Sequence, residues 1–242
     1  MAVQSDASIR NASVVAGGGL LLLSALAGFG NFVAVQGLVS PGNAVQTAND
    51  IADSAGLFRL GIVSLLLVVA LDVVIAWALF RVFSPVSKNL SALAALLRLV
   101  YAGVFMVAVG QLLGVVRLLG SDHYLAVFSA DQLHAQALLE INAFSDLWHA
   151  GLSLFGLHLI IIGYLAYRSS YFPKFLGVLL IIAGLGYVID SFGVALSAHS
   201  WQDVSAFTFL GEFLLALWLV IRGRRITLGD SGLRENPMAV AG

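Results

Sequence analysis

Long apolar runs alternate with polar connections along almost the whole chain, and six of these runs are long enough to be membrane spans. A helix of about 20 apolar residues crosses a hydrocarbon core of roughly 30 Å. The pattern therefore predicts an all-α fold, a six-helix transmembrane bundle with short amphipathic surface helices in the two long outer connections. The predicted spans are residues 14–35, 57–80, 90–119, 144–167, 175–197 and 204–221.

The first apolar run has two interpretations. It follows a positively charged flank and contains the small residues Ala25 and Ala27, which are also typical of a secretory signal peptide. The run continues past that point through Phe29, Phe32 and Val35 to a full bilayer length. This continuation favours a retained first span over a cleaved signal.

The first long connection, residues 37–56, contains the pattern of a short helix. Asn43 is a residue type that caps helix N-termini, and apolar residues follow it at helical spacing. These positions are Val45, Ala48, Ile51, Ala52 and Ala55. We expect a small amphipathic helix at the membrane surface, with a loose polar loop as the alternative.

The second long connection, residues 120–144, contains a second helix start. Ser129 and Gln132 have the spacing of a capping box. A helix running unbroken from there to Tyr167 would be about 57 Å long, nearly twice the thickness of the hydrocarbon core. Either the helix projects well beyond the bilayer, or it breaks near residues 142–145, and we favour a break or a sharp tilt.

The basic residues predict the orientation of the bundle. Eight of them fall on one side of a six-span arrangement: Arg10, Arg81, Lys88, Arg168, Lys174, Arg222, Arg224 and Arg225. The other side has Arg59 and Arg117 at helix ends. The positive-inside rule then predicts a multi-pass protein of the cell membrane with both termini in the cytoplasm. Residues 1–13 would be the cytoplasmic N-terminus and residues 223–242 a disordered cytoplasmic tail.

Composition excludes several protein classes. Hydrophobic residues make up 60% of the 242 residues and charged residues only 10%, whereas soluble domains usually carry about 25% charged residues. The net charge of −1 gives no reason to expect nucleic acid as a partner. The chain has no cysteine, which excludes disulfides and thiolate metal sites, and it lacks a glycine-rich phosphate-binding motif. We expect no cofactor.

Three charged or polar residues share a depth near the inner side of the predicted bundle. Asp72, Arg98 and His158 each lie about nine residues from the inner end of their span, or roughly 13 Å along the helix. Asp72 and Arg98 belong to adjacent antiparallel helices, so an ion pair is expected between them. Such a pair can serve as structural glue, and His158 can be a hydrogen-bonded core histidine rather than a ligand.

A second group of polar residues falls nearer the outer side. Its members are Arg59, Asp146, His149, Asp190 and Glu212. Three carboxylates and one histidine cannot all be neutralised by a single arginine, so some carboxylate is expected to be protonated, metal-bound or open to water. We expect Asp190 and Glu212 to approach each other and share a proton, with the other three residues lining the same outer cavity. The alternative is that each carboxylate hydrogen-bonds to a neighbouring helix and is sealed from solvent.

Enzyme chemistry has little support in the sequence. His149, Asp190 and Glu212 are residue types that bind zinc, but no motif with metal-site spacing is present, and we predict no metal. Ser145, Ser153 and Ser191 lie in no recognisable nucleophile motif.

Six segments of the chain are distinctive: LFRLGIVS (57–64), LDVVIAWALF (71–80), LLRLVYAG (96–103), FGLHLIIIGYLAYRSSYFP (155–173), LGVLLIIAGLGYVIDSFG (176–193) and GEFLLALWL (211–219). They resemble a known family of bacterial multi-span membrane proteins, domain of unknown function 4386. The resemblance extends from about Arg10 to Arg222. It implies an integral membrane protein whose matching polar positions are Arg59, Asp72, Arg98, His158, Asp190 and Glu212. Asp146 and His149 fall where members of the family vary.

Three functional classes remain open on these grounds. The first binds or transports a small polar or amphiphilic molecule, or a proton, in a polar cavity that opens outward. The second is a structural or sensory membrane protein whose buried charges fix helix packing. The third is a membrane enzyme acting on a lipid-like substrate. The expected partners are the lipid bilayer and a small molecule or lipid in the outer cavity.

Overall fold

The computed structural model describes residues 6–120, 124–197, 204 and 210–226. Its α-helices are α1 (Asp6–Gly28), α2 (Ala44–Asp53), α3 (Ala55–Phe83), α4 (Lys88–Leu119), α5 (Ala130–Arg168), α6 (Lys174–Leu196) and α7 (Leu210–Arg222). A π-helix (Phe29–Val35) and a 3-10 turn (Gln36–Leu38) continue α1, and further 3-10 turns span Tyr124–Ala126 and Gly223–Arg225. The described residues form an all-α membrane bundle, as predicted.

Five helical segments are long and apolar enough to cross a membrane: Ala7–Leu38 and the helices α3, α4, α5 and α6. The predicted sixth span, residues 204–221, lies partly outside the described residues and is represented by α7. The predicted disordered tail also lies outside them from residue 227 onward, whereas Gly223–Arg225 form a 3-10 turn.

The π-helix lies where α1 packs closely against α3. Ser64 donates its hydroxyl to the carbonyl oxygen of Leu26 at 2.6 Å, just before the π segment begins. A side chain bonded to a helix carbonyl competes with the helical hydrogen bond of that carbonyl, which is a recognised cause of local distortion. Gly30 permits the close approach, because a methyl group there would lie 2.9 Å from the side chain of Leu65 and 3.1 Å from the carbonyl oxygen of Gly61.

The predicted cap of the short helix α2 is present. Asn43 accepts a hydrogen bond from the backbone N–H of Gln46 at 2.9 Å. The buried residues of α2 are Thr47, Ala48 and Ile51, and this face packs against α5. Helix α2 thus covers the N-terminal part of α5, which lies at the end of the bundle opposite the α5–α6 turn.

Helix α5 corrects one prediction. The capping box of Ser129 and Gln132 is present, but the helix continues without interruption for 39 residues to Arg168. The expected break near residues 142–145 was wrong. At 1.5 Å per residue the helix is about 58 Å long. Its first half is stable beyond the bilayer thickness because α2 and α4 cover it, burying Leu133, Ala137 and Ile141.

Glycines bring α5 and α6 into close contact at two levels. A methyl group on Gly156 would lie 2.5 Å from the carbonyl oxygen of Gly184, and one on Gly163 would lie 2.7 Å from that of Gly177. Methyl groups added on the α6 side would be equally close: one on Gly184 would lie 2.5 Å from the carbonyl oxygen of Gly156, and one on Gly177 would lie 2.6 Å from that of Gly163. Small residues that let backbones approach are typical of helix contacts in membranes. This contact fixes the register between His158 on α5 and Tyr187 on α6.

Most of the basic residues lie at helix ends that meet at one end of the bundle. We call this the basic end, and its members are the eight basic residues that the sequence predicts on one side of the membrane. Arg10 donates from Nε to the carbonyl oxygen of Ile226 at 2.9 Å, and Arg81 hydrogen-bonds to Ser8. Tyr171, in the turn between α5 and α6, donates its hydroxyl to the carbonyl oxygen of Val82 at 2.7 Å. These bonds tie α1, α3, α7 and the α5–α6 turn together.

Candidate functional site

An ion pair lies inside the bundle between α3 and α4. Nη2 of Arg98 is 2.6 Å from Oδ1 of Asp72, and each residue is 1% exposed. The two helices are antiparallel and joined by a short turn, so residues at similar distances from that turn lie at the same depth. The structure therefore brings together the two charges that the sequence assigned to one layer.

His158 on α5 completes this contact from a third helix. Its Nδ1 is 2.8 Å from the carbonyl oxygen of Ala94, and its Nε2 is 3.4 Å from Nη1 of Arg98. A carbonyl oxygen only accepts, so Nδ1 carries the proton. Nε2 then accepts from the guanidinium, and the imidazole is a neutral ligand of Arg98. The ring is fully buried.

An aromatic ring, packed among others, covers the guanidinium of Arg98. Its Cζ lies 5.1 Å from the ring centroid of Phe155, which stacks on the ring of His158 at 5.8 Å. A cation over an aromatic face is attracted to the negative π cloud. Tyr101, one helical turn after Arg98, packs against Phe155 at 4.9 Å and accepts a hydrogen bond at its hydroxyl from Nε1 of Trp148 at 3.1 Å.

Glu212 on α7 joins the same group of charges. Its carboxylate is hydrogen-bonded to Tyr187 on α6 and interacts electrostatically with Arg98 and Asp72. The residue is only half-buried as a whole, but its Oε1 atom is buried and has no hydrogen-bond partner among the described residues. Nε of Arg98 is also buried and has no hydrogen-bond partner among the described residues. The sequence assigned Glu212 to the outer group, and the structure also connects it electrostatically to the charges of the inner one.

We call these residues the polar cluster: Asp72, Arg98, His158, Tyr187 and Glu212. They come from five different helices, α3, α4, α5, α6 and α7. The guanidinium of Arg98 pairs with Asp72 and interacts electrostatically with Glu212, while the imidazole and the phenol are neutral neighbours. A proton on one carboxylate would make the charges balance.

The other predicted outer residues are Arg59, Asp146, His149 and Asp190. Arg59 and Asp146 are exposed, and His149 bonds through Nδ1 to the carbonyl oxygen of Ser145 in its own helix at 2.7 Å. Asp190 is 1% exposed and accepts a hydrogen bond from the backbone N–H of Val204 at 2.8 Å. Asp190 also interacts electrostatically with Tyr187 and is thereby connected to the polar cluster. No group of three or more His, Asp and Glu side chains suited to a metal forms among the described residues.

A family model described as "Domain of unknown function (DUF4386)" matches residues 15–223 of the chain. The protein belongs to the DUF4386 family. A relative from Archaeoglobus fulgidus, whose printed name is "Uncharacterized protein", is 36% identical over 166 residues, which cover 69% of this chain and 85% of the relative. No solved structure matches the chain. The DUF4386 match includes every residue of the polar cluster.

Four aromatic residues of this DUF4386 bundle escaped the sequence analysis: Tyr101, Trp148, Phe155 and Tyr187. Three of them lie three residues from a predicted polar residue on the same helix, namely Arg98, His158 and Asp190. Residues three apart share a helix face, so an aromatic ring in that position packs beside the polar group, and a tyrosine there adds a polar tip. That spacing was the available signal.

Proposed function

We propose that this protein is a membrane transport protein that binds and releases a proton at the polar cluster. The observation that carries the proposal is the buried Oε1 of Glu212, which has no hydrogen-bond partner among the described residues. The guanidinium of Arg98, with which Glu212 interacts electrostatically, already pairs with Asp72. A buried uncompensated charge costs several kcal/mol, so the cluster is most stable when Glu212 holds a proton. Loss of that proton would favour entry of water or a movement of α7.

Tyr187 supplies a route between this carboxylate and the outer group. It hydrogen-bonds to Glu212 and interacts with Asp190, which lies near the end of α6 farthest from the basic end. A phenol both donates and accepts, so it can pass a proton between two carboxylates. Relays of acidic and polar side chains are a common feature of proton-moving membrane proteins. In this proposal the exposed Asp146 and the half-buried His149 belong to the outward opening of the route.

The proposal includes a location. The eight cations of the basic end favour a cytoplasmic position for that end and for both termini, in a multi-pass protein of the cell membrane. A proton entering by way of Asp190 would then come from outside.

A structural role is the second candidate, and one observation favours it. Asp72, Arg98 and His158 are packed to 1% exposure or less, as expected of charges that fix helix register. The two candidates differ in what Glu212 does, since a purely structural cluster has no need to exchange its proton.

Proton flux into liposomes separates the two. The purified protein is reconstituted around a pH-sensitive dye, and a potassium gradient with valinomycin supplies the driving potential. We expect faster acidification than in empty liposomes, abolished by Glu212→Gln and retained in Glu140→Gln, a matched change of a carboxylate on α5 outside the polar cluster. Equal rates for the wild type and Glu212→Gln would exclude proton transport through the cluster.

A further inference from the structure

A groove of about 560 Å³ lies at the basic end, between the α5–α6 turn and the end of α7. Its walls are turn residues 170–173, Phe175, Trp218 and Arg222. It lies at the level where the helices leave the apolar layer, because α5 ends at Arg168 and α6 begins at Lys174. The groove is separate from the polar cluster.

The floor of the groove is held in place by packing and hydrogen bonds. The ring of Phe172 lies 4.1 Å from that of Trp218 and 5.0 Å from that of Phe83. The backbone N–H of Phe172 donates to Oγ of Ser169 at 3.1 Å, and Tyr171 is bonded to Val82. A ligand would therefore find a preformed surface, which lowers the entropic cost of binding.

The rim of the groove is positively charged. Arg222 is exposed, and none of the described carboxylates forms a salt bridge with it. Four further exposed cations lie within a few residues of the lining: Arg168, Lys174, Arg224 and Arg225. Two of them lie over tyrosine rings of α5, with Arg168 Cζ 5.9 Å from Tyr164 and Lys174 Nζ 5.5 Å from Tyr167. Basic and aromatic side chains together are typical of the headgroup layer.

An exposed apolar stripe leads away from the groove along α6. Phe175, Val178 and Ile182 are 62%, 44% and 46% exposed, and they follow one another at helical spacing. Such a stripe is a surface for acyl chains, and it begins at a residue that lines the groove.

We infer that this groove binds an anionic glycerophospholipid. Its phosphate would pair with Arg222 and accept a hydrogen bond from the hydroxyl of Ser170, with the headgroup between the aromatic floor and the cationic rim. One acyl chain would lie along Phe175, Val178 and Ile182. Basic pockets between helices on the cytoplasmic side of membranes are suited to anionic headgroups in this way.

Native mass spectrometry of the detergent-purified protein tests the inference. Phosphatidylglycerol and phosphatidylcholine with identical acyl chains are titrated separately, and a further series adds inorganic phosphate as competitor. We expect the anionic lipid to bind more tightly, and Arg222→Gln to lower its affinity roughly fivefold, the effect of one cation near an anionic headgroup. Arg59→Gln, a matched change of an exposed arginine at the opposite end, should leave the affinity unchanged.

Ser170→Asp provides a second variant that keeps Arg222 and the packing of the floor. It adds a negative charge where the phosphate is expected and should weaken the anionic lipid without weakening phosphatidylcholine. Equal affinities for the two lipids, equal losses in Arg222→Gln and Arg59→Gln, or displacement by inorganic phosphate at similar concentration would each overturn the inference.

Discussion

Arg98 on α4 contacts His158 on α5, whose Nε2 lies 3.4 Å from Nη1 of the guanidinium. The same guanidinium forms the ion pair with Asp72 on α3 at 2.6 Å. One arginine thus connects three helices where neither charge of the ion pair can reach bulk water, and it also interacts electrostatically with a second carboxylate, that of Glu212.

The ion pair should be needed for stability. Asp72→Asn leaves Arg98 buried without its counter-charge, and breaking one partner of a buried pair typically costs about 3–5 kcal/mol. Thermal unfolding in detergent should show this loss, and the exchange of Asp72→Arg with Arg98→Asp should recover part of it. Asp50→Asn on α2 is the control. An exchange variant no more stable than Asp72→Asn would contradict the pairing.

His158 should carry its proton on Nδ1. Nitrogen NMR of the histidine-labelled protein distinguishes the two tautomers, and the bond to Ala94 predicts the Nδ1–H form. His158→Leu removes both hydrogen bonds and should lower the free energy of unfolding by about 2–4 kcal/mol, since one partner is charged. An Nδ1 that accepts rather than donates would show that the imidazole does not receive a hydrogen bond from Arg98.

The α5–α6 contact should tolerate no added methyl group. Gly156→Ala or Gly163→Ala would force the helices apart, and overpacking typically costs about 1–3 kcal/mol. Gly110→Ala on α4 is the matched control, because nothing lies within 4 Å of the added carbon. It should be neutral, or more stable by up to about 1 kcal/mol from helix propensity. An equal loss of stability in all three variants would contradict the inference that α5 and α6 pack too closely for a methyl group.

Tyr171 should make the stability of the folded protein depend on pH in the alkaline range. Burial raises the pKa of its phenol above the usual range, so the folded state holds the proton where the unfolded chain has lost it. The stability this contributes is complete below the ordinary pKa of about 10 and falls as the pH rises beyond it. Tyr171→Phe should cost about 1 kcal/mol at neutral pH through the lost bond to Val82, and its alkaline decline should be shallower. Parallel pH profiles would contradict this account.

Part of this organisation could be predicted from short stretches of sequence and from the position of residues along neighbouring helices. Asp72 and Arg98 lie on neighbouring helices joined by a short turn, so depth alone predicts their contact. The caps at Asn43 and Ser129 depend on a few adjacent residues and were equally visible. These features need no knowledge of the tertiary structure.

Other features depend on packing that the sequence does not display. The uninterrupted α5 relies on cover from α2, a contact between distant segments. The position of Glu212 along the bundle depends on how α7 packs against α6. At that contact Gly211 lies close to the backbone of Leu179. Tyr187 lies in an apolar segment and carries no charge, so the sequence does not single it out, although its hydroxyl links Glu212 to the region of Asp190.

Infrared titration of the reconstituted protein tests the central claim, that the polar cluster holds an exchangeable proton on Glu212. A protonated carboxylic acid absorbs apart from a carboxylate. We predict a carboxylic acid band at neutral pH that shifts in heavy water, disappears in Glu212→Gln and persists in Asp190→Asn. A wild-type spectrum without that band, or a band that survives unchanged in Glu212→Gln, would contradict the account.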